Sequence, residues 1–491
     1  MRLHLSTPIF SCLFMLIACG NTSANSDVCD SPKAKAGDVT VYVTTADRTM
    51  DFARRTISFG KGTATEIKLK PENRYQTMDG FGAAVTGSTC YNLMKMASAD
   101  RTRFLTETFS HEKGAGFSYI RISIGCSDFS LSEYTCCDEK GMEHFALQEE
   151  ETKFVIPILK EILAINPTLK ILGSPWTCPR WMKVNNLEER KPFNSWTSGQ
   201  LNPDYYRDYG TYFVKWIQAF NKENIRIDAV TPQNEPLNRG NSASLFMGWE
   251  EELAFVKQEL GPQLKAAGLD TRIYAFDHNY NYDNMNDQQE YPVRIYDDEV
   301  AASFLAGAAY HNYGGNREEL NVVNGKRPDK ELIFTETSIG MWNDGRNLRK
   351  RLMDDMREVA LGTVNNWCKA VIVWNLMLDN ERGPNREGGC KTCYGAVDID
   401  RSDYRTITRN SHYYIIAHLS SVVKPGATRI GSDGYTAPGL SYAAFENTDG
   451  TYAFVMLNEA DAPREITLND GKHPFTYTVP AKSVVSYRWK Q

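Results

Sequence analysis

The stretch "IDAVTPQNEP" (residues 227–236) decides how the rest of the chain is read. A short apolar run, Ile227 to Val230, stops at an amide-amide-carboxylate triplet, Gln233-Asn234-Glu235, set between Pro232 and Pro236. Proline fixes φ and removes a backbone donor, so the two prolines end the strand and stiffen the turn after it. A stiffened polar cluster at the C-terminal end of a buried strand is where a (β/α)₈ barrel carries its function. Alone, Asn-Glu before Pro is also a turn or helix-cap signal, so the reading depends on the pattern recurring.

It recurs. Candidate strands lie at 79–85, 119–124, 170–173, 227–230, 272–276, 308–311, 332–335 and 370–374, with helical patterns between them at 152–165, 205–221, 250–267 and 348–367. Eight strands alternating with helices predict a closed parallel sheet, an α/β fold of the (β/α)₈ TIM-barrel type. An open doubly wound sheet is the alternative, but no GxGxxG follows the first strand. The flanks differ. Val39-Thr40-Val41-Tyr42-Val43 alternates near the N-terminus, and strand signals separated by Asp449-Gly450 and Asp470-Gly471 turns fill the C-terminal region. These predict one β-sandwich assembled from both chain ends.

Arg2 and His4 precede the apolar run Ile9 to Ile17, too short to span a bilayer and shaped like a signal-peptide core. Its ending, Leu16-Ile17-Ala18-Cys19, resembles a bacterial lipobox, in which Cys19 is lipidated; a plain secretory signal is the alternative. The expected division is therefore a lipoprotein signal peptide at 1–19 and a polar tether at 20–36. Sandwich strands follow at 37–74, the catalytic barrel at 75–417 and the rest of the sandwich at 418–491. The expected location is the periplasm or the outer-membrane or cell surface, with membrane contact only through the lipid.

A net charge of -6 leaves no basic excess to neutralise a nucleic acid. Cys390-Lys391-Thr392-Cys393 lacks the second ligand pair of a zinc site and reads as a local disulfide or two loop thiols. No metal or other cofactor is expected, and the protein is expected to be a monomer.

The predicted strand ends carry Arg121 and Asp128 on the second strand, Trp176 on the third, and Asn234 and Glu235 on the fourth. His311 and Tyr313 follow on the sixth, Glu336 on the seventh and Trp374 on the eighth. Glu235 and Glu336 would face each other across one mouth. Two carboxyl groups about 5–5.5 Å apart are what a retaining glycosidase needs, one as nucleophile and one as acid/base. Glu336, beside Arg121, suits the ionised nucleophile. Glu235, with its pKa raised, suits the proton donor, and Asn234 can donate to a sugar 2-hydroxyl.

Gly80-Phe81-Gly82-Ala83-Ala84, Asp128-Phe129-Ser130, Ser174-Pro175-Trp176-Thr177, Asn234-Glu235-Pro236, Phe334-Thr335-Glu336, Trp374-Asn375-Leu376 and Gly383-Pro384-Asn385 occur in that order. Together they resemble glycoside hydrolase family 30, which includes glucosylceramidases and β-1,6-glucanases. The resemblance implies retention of configuration, with Glu235 as acid/base and Glu336 as nucleophile. It further implies that Trp176, Asn234, His311, Tyr313 and Trp374 occupy or support sugar subsites. Glucosylceramidases carry an aspartate after the threonine that follows the first glycine-rich strand; here Gly87 follows Thr86. That departure favours β-1,6-glucan over glucosylceramide or another exo-cleaved β-glucoside, with Ser88 or Asp128 as candidates to fill the gap. A glycan-binding lipoprotein without catalysis is the rival from another class, but it would not need both carboxylates.

Overall fold

A computed structural model describes residues 38–60, 62, 65–280 and 285–490. The proposed signal peptide, Cys19 and the tether lie outside these residues. Eight parallel strands close into a barrel: β1 (Gly80–Ala84), β2 (Tyr119–Ser123), β3 (Lys170–Ser174), β4 (Ala229–Val230), β5 (Arg272–Asn279), β6 (Leu305–His311), β7 (Glu331–Glu336) and β8 (Cys368–Asn375). The strand expected over 227–230 is cut to two residues, although Ile227 and Val230 are both buried.

Inward-facing side chains recur every second residue along a strand and so stack in layers inside the barrel. The lower layer is apolar: Tyr119, Leu172, Ala229, Tyr274, Ala309, Ile333 and Ile372 form one buried cluster. Two residues further on, the same period delivers Arg121, Ser174, Thr231, Thr335 and Trp374, so the barrel floor turns polar in one step. β5 breaks the period. Its register against β6 shifts between Phe276 and His278, and Phe276 and Asp277 both take positive φ, 74° and 58°. Phe276 consequently packs outward on Tyr291 and Tyr310, and Asp277 enters the interior. At the opposite mouth, the N-terminal strand ends are tied by Lys170–Asp79 (2.7 Å) and Lys369–Glu331 (2.5 Å) ion pairs.

The flanking strands form one nine-stranded sheet in which Asp38–Thr45, Ala53–Ser58 and Glu66–Thr77 join six strands from 428–490. The sheet folds over itself: Phe475, on its last strand, meets Tyr487 and Trp489, both on a strand six places away in hydrogen-bonding order. Alternation then divides the central strand Thr451–Asn458 between two cores. Phe454 and Met456 fill the sandwich, whereas Ala453, Val455 and Leu457 share the barrel's core. Helix Ser411–Ser420 lies at this junction, wholly buried, and His418 bonds Thr44 Oγ1 and Ser486 Oγ at 2.8 Å each. Cys390 and Cys393 form a disulfide.

Candidate active site

Arg121 is fully buried on β2, and its guanidinium holds four strand ends together. It donates to Ser174 Oγ (3.1 Å), Asn234 Oδ1 (2.7 Å), Asp277 Oδ2 (2.7 Å) and the carboxylate of Glu336. A buried cation is tolerated only where charge and hydrogen bonds both answer it, which these four partners do. Trp176 and Trp374 stack on each other at 5.1 Å, with the guanidinium 4.9 and 5.4 Å from their rings.

Asp277 is the second hub. Besides Arg121 it accepts from Thr231 Oγ1 (2.7 Å), Ser174 Oγ (3.1 Å) and Thr335 Oγ1 (2.6 Å) and pairs with His311 Nε2 (3.0 Å). Burial opposes its charge, but Arg121 and these donors hold its pKa far below the ordinary carboxylate range. His311 Nδ1 reaches Glu235 Oε1 at 3.2 Å, and Asn238 and Asn241 each donate to Glu235 Oε2 at 2.8 Å. Glu235 itself sits at φ 46°, in the left-handed region, with its N–H bonded to Asp277 O (3.0 Å). Glu235, Phe276 and Asp277 thus concentrate backbone strain at one place, which only surrounding packing can sustain. Tyr313 donates its hydroxyl to Glu336 Oε1 at 3.0 Å.

Both glutamates line one cavity of about 330 Å³, together with Asp128, Tyr313 and Trp374. Arg121, Trp176, Asn234 and His311 stand one layer behind. Of the residues marked in the sequence, those on β2, β3, β4, β6, β7 and β8 therefore converge, in two layers. Asn238, Asn241 and Trp342 also belong to the site and were not marked, and Asp277, directly after the fifth predicted strand (272–276), was given no role. Asn238 and Asn241 could have been suspected from their place three and six residues beyond Glu235. Asp277 is visible as the polar end of the fifth strand, but the bulge that turns it inward has no sequence signature.

The charges differ from the sequence expectation. Burial raises the pKa of Glu235, but the hydrogen bond from His311, the His278 and His311 charges and the Asn238 amide outweigh it and bring the carboxyl to about 2. Burial raises Glu336 above its ordinary value, against the pull of His311 and Arg121. His311 loses charge stability to burial but regains more from Glu336 and from its bonds to Asp277 and Glu235, reaching about 9. His311 is thus the group of this cluster that carries the proton, with its Nδ1 3.2 Å from Glu235 Oε1 and its Nε2 3.0 Å from Asp277 Oδ1. Glu235, His278 and His311 are close enough together to suggest a metal site. The Asn238 and Asn241 amides donate to Glu235 Oε2 and His311 Nδ1 meets Oε1, so both carboxylate oxygens are already hydrogen-bonded.

Gly87 has no spare room. A Cβ there would lie 1.9 Å from Glu150 Oε1, and the Glu150 carboxylate also accepts from Leu131 N (2.7 Å) in the loop that carries Asp128. Ser88 is occupied by bonds to Phe129 O and Pro384 O. Asp128 is thus the acidic side chain that reaches the cavity on this wall.

Residues 78–423 match the glycosyl hydrolase family 30 TIM-barrel domain, and residues 426–487 match the family 30 beta sandwich domain. A solved endo-β1,6-glucanase is 69% identical, with a TM-score of 0.91 over 93% of this chain and all of that one. An endo-1,6-β-D-glucanase of Trichoderma harzianum is 32% identical across 84% of each chain. The lysosomal acid glucosylceramidase of Mus musculus is 26% identical, over 88% of this chain and 84% of its own. With two glutamates on one barrel mouth and both domain models matched in order, the chain belongs to glycosyl hydrolase family 30 and is a retaining glycoside hydrolase.

Proposed function

We propose that this protein is an endo-acting β-1,6-glucanase that works by double displacement at Glu336 and Glu235. The observation that carries the assignment of roles is the asymmetry of their partners. Glu336 is oriented by a permanent cation, Arg121, and by the Tyr313 hydroxyl, whereas Glu235 is joined to a titratable imidazole. In the first step a Glu336 oxygen attacks C1 and the C1–O bond to the leaving glucosyl O6 breaks, with Glu235 supplying the proton to that oxygen. The proton reaches Glu235 from His311 as the glucan displaces water from the cleft. In the second step Glu235 takes a proton from water, the water oxygen bonds C1, and Glu336 is released. Asn234, fixed through its Oδ1 by Arg121, keeps its amino group for the 2-hydroxyl.

The 69% identical endo-β1,6-glucanase supports this substrate over glucosylceramide, as does Gly87, whose place is filled from behind by Glu150. The time course on β-1,6-glucan tests it: long oligosaccharides first mean endo action, and glucose alone would overturn it. Glu336→Gln should lower kcat by about 10⁴-fold or more. Glu235→Gln should cost about 10²–10⁴-fold on glucan and much less on an aryl glucoside with an acidic leaving group, where azide restores turnover. Equal losses on both substrates would refute the acid/base role.

The Leu16-Ile17-Ala18-Cys19 sequence supports export as a lipoprotein. Cys19→Ser should then move the protein from the membrane fraction to the soluble one; unchanged partition would refute lipidation.

A further inference from the structure

Trp342 is 54% exposed on the rim of the active-site cavity, an unusual position for the largest apolar side chain. Its placement is built. The indole lies across Gly340, where a Cβ would stand 2.0 Å from the ring. Gly340 has an extended φ, so a larger residue here is opposed by the indole and not by the backbone. The short turn carrying Trp342 is fastened on three sides: Gly340 N to Asn343 Oδ1 (3.0 Å), Gly345 N to Gly340 O (2.9 Å) and Met341 N to Thr392 O (2.9 Å). The last bond, with the pairing of Ile339–Gly340 against Cys393–Tyr394, ties the turn to the loop closed by the Cys390–Cys393 disulfide.

Beyond Trp342 the active-site cavity does not end. Tyr313, Ser338 and Trp342 are shared with a second cavity of about 380 Å³, and Asn312 and Glu358 are shared between that and a third of about 430 Å³. The path runs from Glu336 over the indole and then along a polar floor. Its arginines are already paired with its carboxylates, Arg357 with Asp354 (2.8 Å) and Arg317 with Glu358 among them, and Glu318 accepts from the Asn321 amide. A floor of amides and internally neutralised ion pairs offers hydrogen bonds without demanding a charged ligand, and an exposed indole offers a face to the C–H side of a pyranose ring. Asn312 and Tyr313, which line this path, follow directly on His311, whose Nδ1 lies 3.2 Å from Glu235 Oε1, so the path leaves beside the acid/base.

We infer that this groove binds further β-1,6-linked glucosyl residues on the leaving-group side, with Trp342 as the stacking platform that makes the enzyme selective for chain length. The inference rests on the β-1,6-glucanase reading. It is tested with the full-length protein and purified β-1,6-linked gluco-oligosaccharides of two to eight residues, taking the ratio of kcat/KM on the longest to that on the shortest cleaved. Trp342→Ala should lower that ratio about tenfold, through KM, with Trp342→Phe restoring most of it. Asn312→Ala, outside the active-site cavity, should lower it a few-fold. Equal proportional losses at every chain length, or no loss at any, overturn the groove. If the wild-type enzyme cleaves none of these oligosaccharides, the β-1,6 reading fails, and the occupant named here fails with it.

Discussion

His311 joins Asp277 to Glu235 through its two ring nitrogens, so the protonation of the proton donor is set by a residue on a different strand. The sign of the pH dependence follows. Glu336 must be ionised, and burial raises its pKa above the ordinary glutamate value, so activity falls as pH drops through a point above that value. The cluster must keep the His311 proton, held up to about 9, so activity falls again as pH rises through that region. In His311→Asn the proton must rest on Glu235 itself. The alkaline limb of the kcat/KM profile should then move to lower pH, and the acid limb, set by Glu336, should move up because the downward pull of the His311 charge is lost. An alkaline limb unmoved by the substitution would exclude His311 as the reservoir. Gly87 gives a second test at this scale. Gly87→Ala places a methyl against Glu150 and should cost about 1–3 kcal/mol in urea unfolding. Gly87→Ala with Glu150→Ala should cost less than the sum of the two, because the collision is gone.

At the scale of elements, helix Ser411–Ser420 shows what burial does to titration. Burial lowers His418 to about 3 and His412 to about 4. A histidine held neutral in the fold contributes stability above its unfolded pKa of about 6.5 and loses it as pH falls below that, by about 1.4 kcal/mol per pH unit for each group. The contribution of these two histidines to stability should therefore decline from pH 6.5 to pH 4.5, and it is read against variants because the buried carboxyls of Glu150, Glu251 and Glu252, raised to about 7, 7 and 8, contribute with the opposite sign. His418→Gln, which can still bond Thr44 and Ser486, should remove one proton from the slope. An unchanged slope would mean that His418 is not neutral in the folded protein. The same scale shows what period alone predicts. Every barrel strand was visible as an apolar run, and its polar end could be found by counting. The bulge in β5 could not, because positive φ at the bulky Phe276 is imposed by packing, and the tolerance of aspartate for that region marks no particular position.

For the whole molecule, the sandwich acts as one wall of the barrel's core. Ala443, Phe445, Ala453, Val455, Leu457 and Val484 belong to the same buried cluster as the barrel helices. Residues 78–423 expressed alone would expose the apolar surface these side chains cover and should aggregate, whereas the full chain should unfold in a single calorimetric transition. Two separated transitions would show that the domains are energetically independent.

Period-two and helical patterning, the strand-ending prolines and the polar strand ends were enough, from sequence alone, to determine a barrel with a two-ended sandwich and a glutamate pair on strands four and seven. These are local signals, each carried by a few adjacent residues. Which carboxylate rests ionised, which residue holds the proton, and where the groove leads depend on groups tens of residues apart meeting in a dry interior. There each hydrogen bond and charge acts strongly on its neighbours. Only the folded chain brings Asp277, His311 and Asn238 around Glu235, and sets Trp342 where the active-site cavity opens into the groove beyond it.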